Sequence, residues 1–235
     1  MPKDTPRTHA NRILASLSRE DFALLEPHLH PADLPVRLRL ETGNHPIDHV
    51  YFIESGIASV VANGINHRTI EAGLIGWEGM TGLAVVMATD RTPHETFMQI
   101  AGSGVRIASD ALRRAMALSA TLRAAFLNFA HAFFVQTTHT AVTNGSSKIG
   151  ERLARWLLMA HDRIDGDALP LTHDFLAIML GVRRPGVTVA LNRFERNGLI
   201  RTTRGVISIL DRNGLKCSAH GSYGTPEAEF DRLFR

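Results

Sequence analysis

The sequence predicts an α+β protein with an N-terminal β-roll (a jelly-roll-like barrel), a long dimerisation helix and a C-terminal winged helix-turn-helix. Three observations favour this class. Short apolar runs separated by glycine turns occupy residues 34–108, which is typical of small barrels. A heptad pattern then indicates a long helix. Finally, two short helical patterns meet at Gly181, as in a helix-turn-helix.

Composition limits the class of protein. The chain has 235 residues, 44% of them hydrophobic and 21% charged, enough for two globular domains. A single cysteine, Cys217, excludes an internal disulfide framework and a cysteine-held zinc or iron–sulfur site within one chain. No apolar run is long enough to cross a membrane. The first 14 residues lack the apolar core of a signal peptide, so we expect a cytoplasmic protein without a membrane partner.

Two short helices are predicted to open the chain. The first covers Asn11–Leu17. The second begins at Ser18, which is expected to be its N-cap and to form an approximate capping box with Asp21. Prolines at three later positions should then end the helical region: Pro27, Pro31 and Pro35.

The β-roll is predicted from alternating and short apolar runs. Residues Val36–Glu41 alternate apolar and charged side chains, as in a half-buried strand. Asn63–Gly64 is a strong hairpin signal. The glycine-rich segment Gly73–Gly82 could bring backbone N–H groups to an anion, but a tight connection within the barrel is the interpretation that the residues alone favour. Further strands are expected at 50–53, 57–61, 67–70, 95–100 and 104–107.

The long helix carries a heptad seam. Ser109 and Ser119 are expected to cap a short helix and then the long one. A single helix cannot bury such a seam alone, so it either pairs with a second copy of the chain or packs on the barrel. Both alternatives remain open at this point. The candidate dimer interface consists of Leu122, Phe126, Phe129, Phe133, Gln136 and Thr140.

A domain boundary is predicted at Asn144–Ser147, with Ser146 or Ser147 capping the following helix. The sensor domain would then cover residues 1–108 and the dimerisation region 109–143. The DNA-binding domain and the tail would cover 144–217 and 218–235.

The helix-turn-helix is predicted at Leu171–Glu195. Thr172 should cap the first helix, and Gly181 should end it because glycine adopts positive φ without steric cost. The second helix opens at Arg183, and proline is tolerated in its first turn. Its outward side would present Arg184, Thr188, Val189, Asn192 and Arg193. A helical hairpin inside an all-α core is the alternative reading.

The residues around this motif strengthen the DNA-binding interpretation. The stretch Leu199–Leu210 predicts a β-hairpin wing, from which Arg201 and Arg204 could reach phosphate. Residues 148–216 hold 12 basic and 7 acidic side chains, a net charge of +5, whereas residues 1–143 hold 12 and 13, a net charge of −1. Phosphate binding requires such a local basic surplus.

The order of these parts resembles the Crp/Fnr family of bacterial transcription regulators over nearly the whole chain. Ile47–Gly56 in the β-roll and Leu171–Ile200 in the helix-turn-helix carry the resemblance most specifically. It implies a homodimer on a two-fold symmetric site in double-stranded DNA, with each second helix in a major groove. It also makes RNA polymerase a candidate partner.

Carried over by position, Arg184 matches the family's base-reading arginine. A bidentate arginine on guanine contributes about 1–3 kcal/mol of discrimination. Pro185 and Val189 replace a glutamate and an arginine that read bases in the cAMP receptor pattern, so we expect a different operator. Thr172 and Arg183 match phosphate-holding positions. The predicted DNA-binding set is Thr172, Arg183, Arg184, Pro185, Thr188, Val189, Asn192, Arg201 and Arg204.

The resemblance also implies an effector site, but its pattern is broken here. Trp77 splits the Gly-Glu pair of the cyclic-nucleotide members, and the Arg-Thr pair follows at a longer spacing, interrupted by Pro93. This argues against cAMP itself, and whether any small effector binds stays open. The iron–sulfur branch is not expected because its cysteines are absent. The positions carried over are Gly76, Glu78, Arg91, Thr92, Thr137 and Thr138.

Two functions are therefore weighed. The leading interpretation is a dimeric, sequence-specific DNA-binding regulator that is not an enzyme, because no nucleophile with a base, carboxylate pair or metal-ligand spacing is evident. The histidines are scattered, and we expect no metal at His28 and His30. The alternative is a small-molecule-binding or enzymatic protein whose helical domain mediates protein contacts.

Overall fold

The computed structural model describes residues 9–63 and 69–234. No helix within these ranges is both long and apolar enough to span a membrane. A short 3-10 turn, Glu26–His28, follows the second helix. The α-helices are α1 (Arg12–Ser16), α2 (Arg19–Leu25), α3 (Leu83–Val86), α4 (Ser109–Leu118), α5 (Ala120–Ser146), α6 (Ile149–His161), α7 (His173–Met179), α8 (Arg184–Arg196), α9 (Arg212–Ser218) and α10 (Thr225–Leu233).

The strands form two antiparallel sheets in the β-roll and one in the wing. The roll sheets have the orders β1-β7-β3 and β2-β6-β4-β5, and the wing sheet has the order β8-β10-β9. The strands are β1 (His30–Leu34), β2 (Arg39–Glu41), β3 (His49–Ile53), β4 (Ile57–Asn63), β5 (Thr69–Ile75), β6 (Glu95–Ile100), β7 (Gly102–Ala108), β8 (Ala168–Leu169), β9 (Ile200–Thr203) and β10 (Val206–Ile209).

The mixed fold is confirmed. The strand predicted at Val36–Glu41 was wrong in its extent. Only its last three residues form β2, because Arg37 adopts a positive φ of 69° and turns the chain. Val36 is accordingly 53% exposed. The strand β1 was not predicted, since its start carries His30 and Pro31. Gly64 and His67 lie outside the described residues.

The predicted glycine-rich loop begins within a strand and ends at the N-cap of a helix. β5 runs to Ile75, and Gly82 is the N-cap of α3. Its glycines have a packing role. A Cβ on Gly73 would lie 2.7 Å from Gln136 Oε1, and one on Gly76 would lie 2.6 Å from Arg163 Cγ. The loop therefore makes tight connections in which side chains from α5 and from the DNA-binding domain contact bare backbone.

The heptad seam of α5 packs inside the chain. Leu122, Phe126, Phe129, Phe133 and Gln136 are all less than 9% exposed. The Phe126 ring lies 5.8 Å from that of Phe52 in the roll. Gln136 accepts a hydrogen bond from Leu74 N and donates one to Leu74 O.

Thr140, the sixth seam residue, accepts from Arg155 Nη1 at 3.2 Å. The seam as a dimer interface is thus contradicted, because the roll and α6 already cover it. Packing on the barrel is the alternative that the structure supports.

Two of the predicted helix caps also require correction. The Ser109 hydroxyl donates to Ile47 O, and Ala108 is the N-cap of α4. The predicted hinge at Asn144–Ser147 lies mostly within α5, and the Ser146 hydroxyl donates to Val142 O. Lys148 precedes α6, and its N–H donates to Glu151. By contrast, Ser18, Ser119 and Thr172 accept the expected backbone hydrogen bonds.

The C-terminal domain, from α6 to α9, packs directly on the roll. One apolar cluster contains Ile57, Val61, Leu74 and Ile100 of the roll together with residues of α6 through β10 and α9. Arg163 Nε lies 2.7 Å from Glu78 Oε1. The Trp77 indole N–H donates to Asp162 O at 3.0 Å. The domains are therefore joined by a shared core and by polar contacts at its edge.

A buried carboxylate lies in this shared core. Glu71 accepts hydrogen bonds from Trp156 Nε1 at 2.6 Å and from Ser59 Oγ at 2.7 Å. Burial raises the pKa of Glu71 to about 7, against the lowering effect of these two donors and of the more distant guanidinium groups of Arg163 and Arg155. In the folded protein this carboxyl group is therefore mainly protonated below about pH 7 and mainly ionised above it.

This raised pKa predicts a pH-dependent stability. Because the native pKa lies above the ordinary 4.5, the contribution of Glu71 is present at acidic pH and is lost as pH rises from about 4.5 to about 7. We expect wild-type protein to lose roughly 2–3 kcal/mol relative to Glu71→Gln between about pH 5 and pH 8. Urea unfolding at several pH values measures the difference. The same exchange at exposed Glu26 should leave the profile unchanged, and parallel wild-type and Glu71→Gln profiles would contradict the prediction.

Candidate nucleic-acid interface

The two helices of the motif are set by local chemistry. The Thr172 hydroxyl accepts from Phe175 N at 3.2 Å and caps α7. Gly181 has a φ of 62°, which lets the chain turn directly into the next helix. Pro185 lies in the first turn of α8, where its missing N–H leaves no hydrogen bond unmade. The predicted helix-turn-helix is confirmed as a local structure.

One side of α8 is buried and the other is free. Val187 and Leu191 are fully buried against α6 and α7. Thr188 is half-buried, and its hydroxyl hydrogen-bonds His173 Nδ1 at 3.0 Å. The remaining predicted α8 contacts, all on the outward side, are exposed: Arg184, Pro185, Val189 and Asn192.

Arg184 makes one exposed ion pair. Its Nε lies 3.3 Å from Asp174 Oδ1, and both side chains are more than 60% exposed. An exposed pair of this kind contributes at most about 1 kcal/mol. Asp174 therefore orients the guanidinium without holding it strongly. Asp174 was not among the predicted site residues, although the sequence places an acidic residue near the start of α7.

The predicted phosphate contacts surround the free side of α8. Arg183 is exposed immediately before the helix, and Arg201 and Arg204 are exposed on the wing. Gly205, with φ of 75°, forms the wing turn. Glu195 accepts from Thr202 N at 2.8 Å and ties β9 to the helix. Among the described residues, the exposed arginines here that form no ion pair include the following: Arg183, Arg193, Arg201 and Arg204.

The predicted effector residues do not line one cavity. Gly76 and Glu78 face Arg163 at the domain junction. Arg91 is exposed and pairs with Asp90 at 2.8 Å. The hydroxyls of Thr137 and Thr138 both donate to Phe134 O. The cavity beside Glu78 is lined by none of the other five residues, Thr92 included.

Other residues that hydrogen-bond at the domain junction were not among the predicted site residues. Trp156 lies in α6, and its indole N–H donates a hydrogen bond to Glu71. Arg155 is buried and donates to Ser222 O at 3.0 Å. A buried charge at a helical position gives no signal in a hydrophobic pattern, so these contacts become visible only in three dimensions. Within the described ranges no three His, Cys, Asp or Glu side chains could hold a metal ion.

The chain resembles known proteins in its C-terminal domain and in its fold. A family model described as the Crp-like helix-turn-helix domain matches residues 151–218. No curated protein sequence matches the chain.

Several solved structures share the whole fold. A putative transcriptional regulator of the crp/fnr family from Eubacterium rectale has a TM-score of 0.68 at 21% identity and covers 87% of this chain and 96% of its own. FixK2 from Bradyrhizobium japonicum gives 0.70 at 14% identity, covering 80% and 96%. A CRP-family transcriptional regulator from Thermus thermophilus gives 0.68 at 17%, covering 81% and 97%.

At these identities the structural likeness establishes the fold, while the family match concerns the C-terminal domain. The exposed arginines and the free side of α8 agree with that match. Residues 151–218 therefore match a Crp-like helix-turn-helix domain, and the chain shares its fold with these solved structures.

Proposed function

We propose that the chain regulates transcription as a homodimer that reads a specific DNA sequence through Arg184 in the major groove. The observation that carries this proposal is the free side of α8, which presents Arg184 next to arginines without ion pairs. Arg184 has Asp174 as its only ion-pair partner within the described residues, and that pair is exposed. Replacing the contact with this carboxylate by a contact with a guanine edge therefore costs little free energy. A contact with RNA polymerase stays a prediction from the family resemblance.

Each predicted residue has a distinct part in this proposal. Arg184 reads a base, while Pro185, Val189 and Asn192 contact the neighbouring base edges. Val189 is 66% exposed, an apolar surface suited to a thymine methyl group. The remaining contacts fix the register by binding phosphate: Thr172, Arg183, Arg201 and Arg204. Thr188 positions the helix surface through its bond to His173.

A dimer surface is available on the outer side of α5. Leu127, Phe134 and Val142 are 43%, 66% and 60% exposed. Leu127 and Phe134 are one heptad apart, and exposed Ala141 continues this spacing, as in a coiled-coil seam. We infer that a second copy of the chain covers this outer seam. Two α8 helices would then enter major grooves about one helical turn apart, roughly 34 Å.

Arg184→Ala should separate base reading from general affinity. On an operator selected from random sequences, we expect a loss of roughly 5- to 150-fold, equivalent to about 1–3 kcal/mol. Binding to unrelated DNA should change little. Gel shifts at several salt concentrations measure both affinities.

Arg204→Ala is the matched control for this experiment. It should weaken binding to both DNAs similarly and reduce the salt slope by about one. Equal losses on both DNAs for Arg184→Ala would contradict its base-reading role. Absence of any salt-dependent DNA binding by the folded protein would instead support the alternative of a helical domain for protein contacts.

Phe134→Glu should disrupt the dimer. It places a charge in the outer seam, where association would bury it without a partner. Sedimentation should show a monomer, and operator affinity should fall much more than affinity for unrelated DNA. Leu118→Glu is the control, because Leu118 is 76% exposed at the end of α4, outside this seam. A Phe134→Glu protein that stays dimeric would refute the outer seam as the interface.

A further inference from the structure

A cavity of about 300 Å³ lies where the roll, α5, the loop after α6 and α10 meet. This volume is at the lower end of known ligand sites and suits a single ring with one polar group. The cavity is distinct from the effector positions carried over from the family, of which only Glu78 lines it. The C-terminal tail provides one wall, so the cavity includes a segment to which the DNA-binding role assigns nothing.

The walls are largely aromatic. They include Trp77 from the roll, Phe129 and Phe133 from α5, and Tyr223 and Phe230 from the tail. A cation already lies against two of these rings. The Arg12 guanidinium carbon is 4.7 Å from the Phe230 ring centroid and 5.6 Å from that of Trp77. The electron-rich faces of these rings therefore attract a positive charge.

One of the carboxylates that line the cavity has no ion-pair partner among the described residues. The lining contains four carboxylates and two guanidinium groups. Glu78 pairs with Arg163 at 2.7 Å, Asp231 pairs with Arg12 at 3.0 Å, and Asp162 pairs with Arg212.

Glu227 is the exception, because no cation within residues 9–63 and 69–234 forms an ion pair with it. Its Oε2 accepts from Gly224 N at 2.9 Å, whereas its Oε1 accepts no hydrogen bond from these residues. Arg155 and Arg163 act on Glu227 only from beyond ion-pair distance. The side chain is half-buried at the cavity wall.

We propose that this cavity binds a small organic cation with a flat apolar body. Its charge lies against Glu227, and its body packs against the rings of Trp77, Phe133 and Phe230. The carboxylate of Glu227, which has no ion-pair partner among the described residues, disfavours an anion of the same shape at this wall. Because the walls come from the roll, α5 and the tail, an occupied cavity ties these parts together.

Three probes of nearly equal shape test the charge preference: benzamidine, benzamide and benzoate. Calorimetric titration of the full chain without DNA should show benzamidine binding at least about tenfold more tightly than benzamide, with benzoate weakest. Glu227→Gln should reduce benzamidine affinity by about tenfold and leave benzamide unchanged. Glu229→Gln is the matched control on the same helix, since Glu229 pairs with Arg232 and His131 outside the cavity.

A second variant tests the aromatic site independently. Arg12→Gln removes the resident cation from Trp77 and Phe230, so benzamidine should bind several-fold more tightly. Weaker binding to this variant, equal binding of the three probes, no binding at millimolar concentrations, or an unaffected Glu227→Gln would each overturn the proposal. Because DNA is absent, these results are independent of the operator-binding test.

Discussion

Bare glycine backbone at the end of β5 and in the loop after it allows the three parts of the chain to meet. Side chains approach Gly73 and Gly76 so closely that a Cβ at either position would lie within 3 Å of Gln136 or Arg163. Gly79 similarly faces the ring of Phe129. The core of the roll, the position of α5 and the docking of the DNA-binding domain all depend on this approach. Any larger side chain would force α5 or Arg163 away from the roll.

The close approach has an electrostatic consequence. It encloses Glu71 and Arg163, which are 5% and 7% exposed. Groups of this kind are stable inside a protein only when neutralised or hydrogen-bonded. Glu71 accepts hydrogen bonds from the Trp156 indole and the Ser59 hydroxyl, and Arg163 donates hydrogen bonds to Glu78 and to the Met159 carbonyl. The domain junction is therefore specified by polar geometry as well as by its apolar core, and the protonation state of Glu71 is coupled to docking.

Helix α5 serves two different surfaces. Its inner seam contacts the roll, while α10 also packs on α5 through the edge-on pair of Phe129 and Phe230, whose centroids are 6.5 Å apart. Its outer seam, marked by Phe134, is left free. One helix thus joins the roll, the cavity and the proposed dimer surface. The exposed side of α8 remains open in this arrangement, because the domain docks through α6 and the turn at Gly181.

The sequence by itself determined the local elements whose signals lie within a few residues. These include the Thr172 cap, the Gly181 turn, the free side of α8 and the wing turn at Gly205, and they were sufficient to recognise the DNA-binding motif. Tertiary structure alone decided which side of α5 is buried, since a heptad pattern fits a barrel as well as a second helix. It also decided that side chains from elsewhere in the chain pack against the glycine-rich loop. It placed Glu71 and Trp156 together at the domain junction and Glu227 at the cavity wall. Such contacts join residues far apart in the chain, and no local periodicity encodes them.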